Sequence, residues 1–420
     1  MIEPSHSPVG YVKLLRCNPG VRRLWLAQVV SELGDWLNLV ALLQLVSRFS
    51  GSAEASGWVL VIQMLPWVFW SPVAGWVADR FDRRQVMIAA DLLRAGIVLG
   101  FLFINRADQL WLVYVLAGLQ YSLAAFFEPA RQALLPTLAQ GEELLSATSL
   151  MGVTWSLMLA IGGALGGVIS GLWGPAATFV VDSSSFLVSA FLLWGLGAWM
   201  RGRVTATAQT SDIEASAVRF WPFLLRRPRV IAVLLVKTGL AVTGGGIWIL
   251  TVVLGHRAFP IGRDGAISVG ILYGAHGFGS VIGAMMTARF FRSGTTGPLR
   301  AIFWAFSLRA IFYSGLAFAP DIATASLAVI GIAACGSLLW VASTTLIQRL
   351  IPNELHGRAF SLDFSACTLA LSLSIAGTAA ALDRLRWSPS RASLVTAVLA
   401  AAIGALWGMA IFPWKKSEEG

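Results

Sequence analysis

The sequence predicts an all-α polytopic membrane protein of twelve transmembrane helices, built as two six-helix pseudo-repeats. Three observations carry this prediction. Hydrophobic residues make up 57% of the 420-residue chain and charged residues only 12%, about half the charge of a soluble domain, and the deficit runs the whole length. The apolar residues form continuous runs of roughly 20, enough for a helix to cross a ~30 Å hydrocarbon core. They lack the ~10-residue alternating segments of a membrane β-barrel. Finally, Gln132-Ala133-Leu134-Leu135-Pro136 and Gly141 match Gln348-Arg349-Leu350-Ile351-Pro352 and Gly357, while Leu93-Arg94-Ala95 matches Leu308-Arg309-Ala310. These matches fall in or just after equivalent spans, at offsets of 216 and 215 residues, as a parallel duplication requires.

The spans follow in order. Span 1 (24–47) begins after Arg22-Arg23 and lacks a small-residue cleavage site, so it reads as a retained helix and not a signal peptide. Spans 2 (57–78) and 3 (85–104) flank a charged knot, Gly75 to Arg84. Spans 4 (110–131), 5 (147–171) and 6 (175–200) complete the first half, 1–200. The one long polar stretch, 201–229, ends in Phe220-Trp221-Pro222-Phe223-Leu224-Leu225-Arg226-Arg227, an interfacial amphipathic pattern. Spans 7 (230–254), 8 (266–288), 9 (299–319), 10 (322–347), 11 (359–382) and 12 (392–413) form the second half, 230–420. Trp25, Trp58, Trp111, Trp173, Trp387 and Trp414 stand near span ends, as interfacial belts require.

Charge gives the orientation. Of 31 Lys and Arg, Arg94, Lys237 and Arg309 fall within spans. Arg48, Arg106, Arg257, Arg263, Arg384, Arg386 and Arg391 lie on one side, and the remaining 21 (31 − 3 − 7) lie on the side of both termini. The positive-inside rule makes that side cytoplasmic. The net charge of +10 therefore reflects topology and not nucleic-acid binding. Cys17, Cys335 and Cys367 have neither metal spacing nor a disulfide framework, and no metal or cofactor is expected.

A few charges fall at depth, where each needs a reason. Asp35 lies about 12 residues past Arg23, or ~18 Å along a helix, with Glu32 three residues before it on one face. A carboxylate there costs at least ~2.5–3.5 kcal/mol unless it meets water or a partner, and a proton would remove that cost. Both are candidates for proton coupling or substrate contact, the alternative being a lock between helices. Asp91 and Arg94 have the i, i+3 spacing of a local intramembrane ion pair. Arg309 is the repeat counterpart of Arg94 without a local acid, so it needs a carboxylate from elsewhere or a cavity, and an anionic substrate is one way to meet that need. Lys237, ~12 Å into span 7, can snorkel to the surface or reach Glu32 or Asp35. Asp182 has Ser183, Ser184 and Ser185 to satisfy it. His276 reads as a packing residue, and Glu128 and Arg131 as interfacial.

The pattern Gly75-x-x-x-Asp79-Arg80-x-x-Arg83-Arg84 between spans 2 and 3 resembles the signature loop of the major facilitator superfamily of secondary transporters. Trp25-x-x-Gln28-x-x-Ser31-x-x-Gly34-Asp35, Phe127-Glu128-Pro129-Ala130-Arg131 and Ile351-Pro352-Asn353-Glu354 are similar to its drug:proton antiporter branch, which holds macrolide efflux proteins and the enterobactin exporter. Span 5 carries Gly162-Gly163-Ala164-Leu165-Gly166-Gly167, like that branch's Gly-Pro-x-x-Gly-Gly with Gly163 in place of Pro. The same glycines also suit close helix packing.

The resemblance implies proton-coupled efflux of an amphipathic small molecule (drug, macrolide or siderophore) by alternating access, with multidrug resistance as the associated role. It also implies a cytoplasmic gate of Gly75, Asp79, Arg80, Arg83 and Arg84, for which Asp363 in span 11 is a candidate acceptor. Where the family has Gly, this chain has Asp82. The expected partners are a small-molecule substrate, protons and the lipid bilayer, in a monomer in the cell (inner or plasma) membrane. A lysophospholipid flippase of the same fold is the alternative. No Gly-x-x-x-x-Gly-Lys-Ser/Thr loop is present to bind a nucleotide, and no enzymatic constellation converges within the spans.

Overall fold

The computed structural model describes residues 10–200, 221–290, 296–352 and 355–415. After a short helix, Tyr11–Cys17, twelve long helices follow: α1 (Pro19–Ser50), α2 (Ala53–Arg80), α3 (Arg83–Gly100), α4 (Leu110–Leu138), α5 (Glu142–Trp173), α6 (Pro175–Met200), α7 (Pro228–Val253), α8 (Ala266–Phe290), α9 (Thr296–Ala317), α10 (Ile322–Leu350), α11 (His356–Asp383) and α12 (Pro389–Lys415). They coincide with the twelve expected spans. Among the described residues there is no strand, and ten helices pass as membrane spans by length and composition alone.

Local chemistry fixes the ends. The Asn18 side chain accepts from the Val21 N–H at 3.1 Å, with Pro19 opening α1. Gly51, at φ +62°, closes that helix in the left-handed conformation a Cβ disfavours. Asp82, the residue that departs from the family loop, caps α3 by accepting from the Arg84 and Gln85 N–H groups at 2.9 and 3.3 Å. The turn is held by this cap. Asp321 caps α10 through Thr324, and α7 runs into a π-helical turn at Leu254–Ala258.

The chain resolves into two compact units whose limits interleave. The first holds residues up to Gly51, Ile62–Ala208 and Ile261–Gly270, and the second holds Ser52–Val61, Gln209–Pro260 and the rest. The expected division at 200 and 230 is therefore crossed by two short exchanges, the start of α2 and the start of α8. Most of 201–229 lies outside the described residues. Its described end is helical at 221–225, with Leu224 buried, Leu225 exposed, and the Arg227 guanidinium 4.5 Å from the Phe223 ring centre.

In the first unit a core of Leu24, Met87, Phe127, Leu134, Met151 and Leu193 joins α1, α3, α4, α5 and α6. The α5 glycines work on two faces. A Cβ at Gly162 would stand 2.7 Å from the Trp36 Cβ, and one at Gly166 3.0 Å from the Leu37 Cα, so this face admits α1. A Cβ at Gly167 would stand 2.6 Å from the Gly270 Cα, and the Gly163 carbonyl lies against Gly270, so the other face admits the start of α8. Backbone contact of this kind is what small residues allow in apolar bundles. The second unit is packed by Phe306, Leu339, Ile347 and Trp407, and by Ile247, Leu272, Tyr313 and Ile332.

Candidate functional site

Three polar clusters occupy the apolar helices, two in the first unit and one in the second. The first joins α1, α3 and α6. Arg94, 2% exposed, pairs with Asp35, whose side chain is 25% exposed. Asp91 lies farther away, 3.8 Å from Arg94, and neither of its oxygens accepts a hydrogen bond. The expected local pair is therefore present, and Arg94 has a second, closer partner beside it. Arg94 reaches across to α1, where Asp35 offers a direct contact, and its i, i+3 neighbour is left as a secondary charge. The Phe186 ring centre stands 4.0 Å from the guanidinium carbon.

Asp182 is fully buried against Gly34, where a Cβ would fall 2.3 Å from its Oδ1. The three serines do not satisfy it as expected: Ser183 donates to the Ala95 carbonyl, Ser184 to the Val180 carbonyl, and only Ser185 approaches the carboxylate, at 3.4 Å. Asp182 Oδ2 has no partner. Two carboxylates, Asp35 and Asp91, thus lie within 4 Å of one guanidinium, and a third, Asp182, is buried in the same cluster.

The second cluster joins α1, α4 and α5. Arg131 forms a two-pronged pair with Glu128, its Nε donating at 2.8 Å, and gives Nη1 to Gln28 Oε1 at 3.0 Å. Gln28 in turn donates to Glu32 at 2.7 Å. Glu32 Oε2 is buried without a partner. Glu32 and Asp35, expected to act together, therefore belong to different clusters, and Glu128, 26% exposed, and Arg131, 10% exposed, form an ion pair along α4. The sequence signal was there: Gln28, Glu128 and Arg131 all lie within the motif-bearing segments.

In the second unit Lys237 Nζ donates to Asp363 Oδ2 at 2.5 Å, and both side chains are at least 96% buried (exposures 4% and 1%). The ammonium lies 4.7 Å from the Trp340 ring centre and 5.7 Å from that of Phe360. Lys237 therefore does not snorkel: α11 places a carboxylate within one side-chain length of α7, and the two hold each other inside the unit. Arg309 lies in the same unit, buried, with Ile332 O at 2.8 Å and the Tyr313 hydroxyl at 3.4 Å. His276 stacks on Trp248 with centroids 4.5 Å apart, as a packing residue would.

The charged knot is tied to its own unit by carbonyls. Arg83 donates to Ala78 O and Ala133 O at 3.2 and 2.8 Å, Arg84 donates to Trp194 O at 3.0 Å, and the Arg80 guanidinium lies 5.5 Å from the Trp76 ring centre. A Cβ at Gly197 would fall 1.7 Å from Arg84 Nη1, so this glycine, which sequence reasoning missed, makes room for the loop. Gly75 has open space where a Cβ would stand. The side chain of Asp79 lies outside those described.

A bundle of long apolar helices with paired ionised side chains at depth defines a multi-pass membrane protein of the transporter type. The chain belongs to the Major Facilitator Superfamily, whose model matches residues 24–375. It is 27% identical over 380 residues to the uncharacterized MFS-type transporter YfiS of Bacillus subtilis, covering 87% of each chain. It is 26% identical over 361 residues to the putative bacilysin exporter BacE of the same organism, covering 84% of this chain and 86% of that one. Macrolide efflux protein A of Streptococcus pyogenes is 26% identical over 161 residues, 38% of this chain and 40% of its own. Among solved structures, a bacterial homologue of the iron transporter ferroportin in its inward-facing state shares the fold with a TM-score of 0.69 at 16% identity, covering 93% of this chain and 98% of that one.

Proposed function

We propose that the protein is a secondary active exporter of an amphipathic small molecule, working by alternating access in the cell membrane with both termini cytoplasmic, and that protons drive it through Asp35. The observation that carries this reading is the charge count of the first cluster. Asp35, Asp91 and Asp182 face one cation, Arg94, in apolar surroundings where an uncompensated charge is costly. A proton is the simplest ligand that lowers the excess. Asp35 is the member with access, at 25% side-chain exposure against 0% for Asp91, so it is the natural port for a proton, and Arg94 is its switchable partner. Similarity to proteins named as a bacilysin exporter and a macrolide efflux protein supports export as the direction.

Glu32 assists from the second cluster in this reading, and Gly75, Asp79, Arg80, Arg83 and Arg84 form a cytoplasmic gate. In this reading the protein works as a monomer. The test is uptake into inverted membrane vesicles with and without a proton gradient. Uptake of a drug or siderophore should collapse with an uncoupler and be abolished in Asp35→Asn while the protein remains folded. Full activity of Asp35→Asn would remove the coupling assignment, and lysolipid movement indifferent to the gradient would make the chain a flippase.

A further inference from the structure

Arg94 and Arg309 occupy matching positions in the two pseudo-repeats, yet their surroundings have diverged. Arg94 faces three acids. Arg309, 2% exposed, has no carboxylate partner among the described residues. Nη1 donates to the Ile332 carbonyl at 2.8 Å, but Nη2 reaches the Thr243 carbonyl only at 3.5 Å and the Tyr313 hydroxyl at 3.4 Å. That carbonyl already accepts the Tyr313 O–H at 2.5 Å. Nε, also buried, donates to nothing. A guanidinium stays charged in a protein, so a full positive charge is held at membrane depth by dipoles and one aromatic ring, with one edge open.

Two glycines make room for the guanidinium itself. A Cβ on Gly336 would stand 2.8 Å from Nη1, and one on Gly244 3.1 Å from Nη2. Gly336 is itself partly exposed, and Trp340, one turn further along α10, is 40% exposed. The residue across the gap is Leu240, also partly exposed, whose Cδ1 lies 3.6 Å from the Gly336 Cβ position. The guanidinium therefore packs against a stretch of α10 without a side chain, with Leu240 of α7 alongside.

We propose that Arg309, reached past Gly336, binds the carboxylate of the transported molecule, with Trp340 against its apolar body. The open Nε and weakly engaged Nη2 form the side edge that a planar carboxylate takes with two parallel hydrogen bonds. One negative charge also matches one guanidinium, whereas a dianionic phosphate would leave a net charge in the apolar site. The inference rests on the reading of the chain as a small-molecule transporter, but not on its coupling to protons.

The test is calorimetric titration of purified, detergent-solubilised protein with 6-phenylhexanoate, its primary amide and octyl phosphate. The wild type should bind the acid at least about tenfold more tightly than the amide, the range expected when a charged hydrogen-bond pair of roughly 1.5–3 kcal/mol is lost. Arg309→Gln should erase that preference, and Gly336→Ala or Gly336→Val should weaken acid binding with the charge still present. No binding of the acid, equal affinity for acid and amide, tighter binding of octyl phosphate, or a preference surviving in Arg309→Gln would each overturn the site. Thermal melting gives a second readout: Arg309→Gln should melt at or above the wild type because it removes an uncompensated charge, and a marked loss would make Arg309 a structural donor instead. Acid-selective binding without gradient-driven uptake would remove proton coupling and leave this site standing.

Discussion

The Lys237–Asp363 pair gives the most quantitative test of how charges are held in this bundle. At 2.5 Å and an effective dielectric constant near 20, the attraction is about 332/(20 × 2.5), or ~7 kcal/mol. Desolvation costs several kcal/mol per ion, so the intact pair contributes little net stability. Removing one partner is a different matter. Lys237→Met leaves Asp363, whose Oδ1 already lacks a hydrogen bond, as an unmatched carboxylate among apolar side chains, at a cost of roughly 3–5 kcal/mol. Each kcal/mol moves the midpoint by about 2–4 °C for a unit of 150–250 residues, so the midpoint should fall by roughly 6–20 °C. Lys237→Met with Asp363→Leu removes both charges and should recover most of that loss, since apolar replacement of a buried pair is often neutral or stabilising. Tryptophan fluorescence during heating in detergent, at one scan rate, reads all three variants. A single variant that melts like the wild type, or a double variant worse than either single, would refute the account.

Arg94→Met should destabilise by a similar ~3–5 kcal/mol, because it strands Asp35, Asp91 and Asp182, whereas Arg309→Met should not; the same melts distinguish them. Gly167→Leu forces a side chain into backbone that already lies 2.6 Å from a Cβ position, and should cost at least about 1–3 kcal/mol, with Gly75→Leu, which meets open space, as the neutral control. Asp321 should show an acid-side pH dependence. The Thr324 N–H, at 2.8 Å, and the Thr324 hydroxyl hold its carboxyl below the usual carboxylate range. Its contribution is then complete above about pH 3.9 and lost as pH falls through the lower folded value. Protection of the first turn of α10 from hydrogen exchange, taken relative to the intrinsic rate at each pH, should fall below that pH in the wild type and be low at every pH in Asp321→Ala; equal protection at pH 6 would remove the cap's role.

The helices were legible because their information is local. Twelve apolar runs of spanning length, punctuated by charge, leave little freedom about where helices begin and end. The repeat at 93–95 and 308–310 even identified Arg309 as the odd member of a pair. Partner choice was not legible, because it depends on how helices rotate against one another. Spacing linked Arg94 to Asp91, 3.8 Å away, but could not show that the long guanidinium stem also reaches Asp35 on α1. Spacing likewise joined Glu32 to Asp35, although a three-residue step turns a helix through about 300°, and the offset suffices to deliver them to Arg131 and Arg94 separately. Asp82 was read as a departure from a family loop because a motif records residue types. Its work as the α3 cap appears only when backbone N–H groups are counted.

Counting charges at depth then shows what became of the duplication. In the first unit the two clusters hold five acids (Asp35, Asp91, Asp182, Glu32, Glu128) against Arg94 and Arg131, an excess of three carboxylates if all are ionised. In the second unit Lys237 and Arg309 stand against Asp363, an excess of one cation. Two copies of one six-helix unit under the same packing demands would have no reason to drift to opposite signs, since each buried charge carries a cost. They would have a reason if the two units meet different ligands: an excess of carboxylates is relieved by protons, and an unmatched guanidinium by an anion. On this account the first unit carries the driving ion and the second the acidic group of the cargo. Neutralising one charge in each unit, by Asp35→Asn in one and Arg309→Gln in the other, should abolish gradient dependence and acid selectivity independently. A variant at either position that abolished both together would contradict the division.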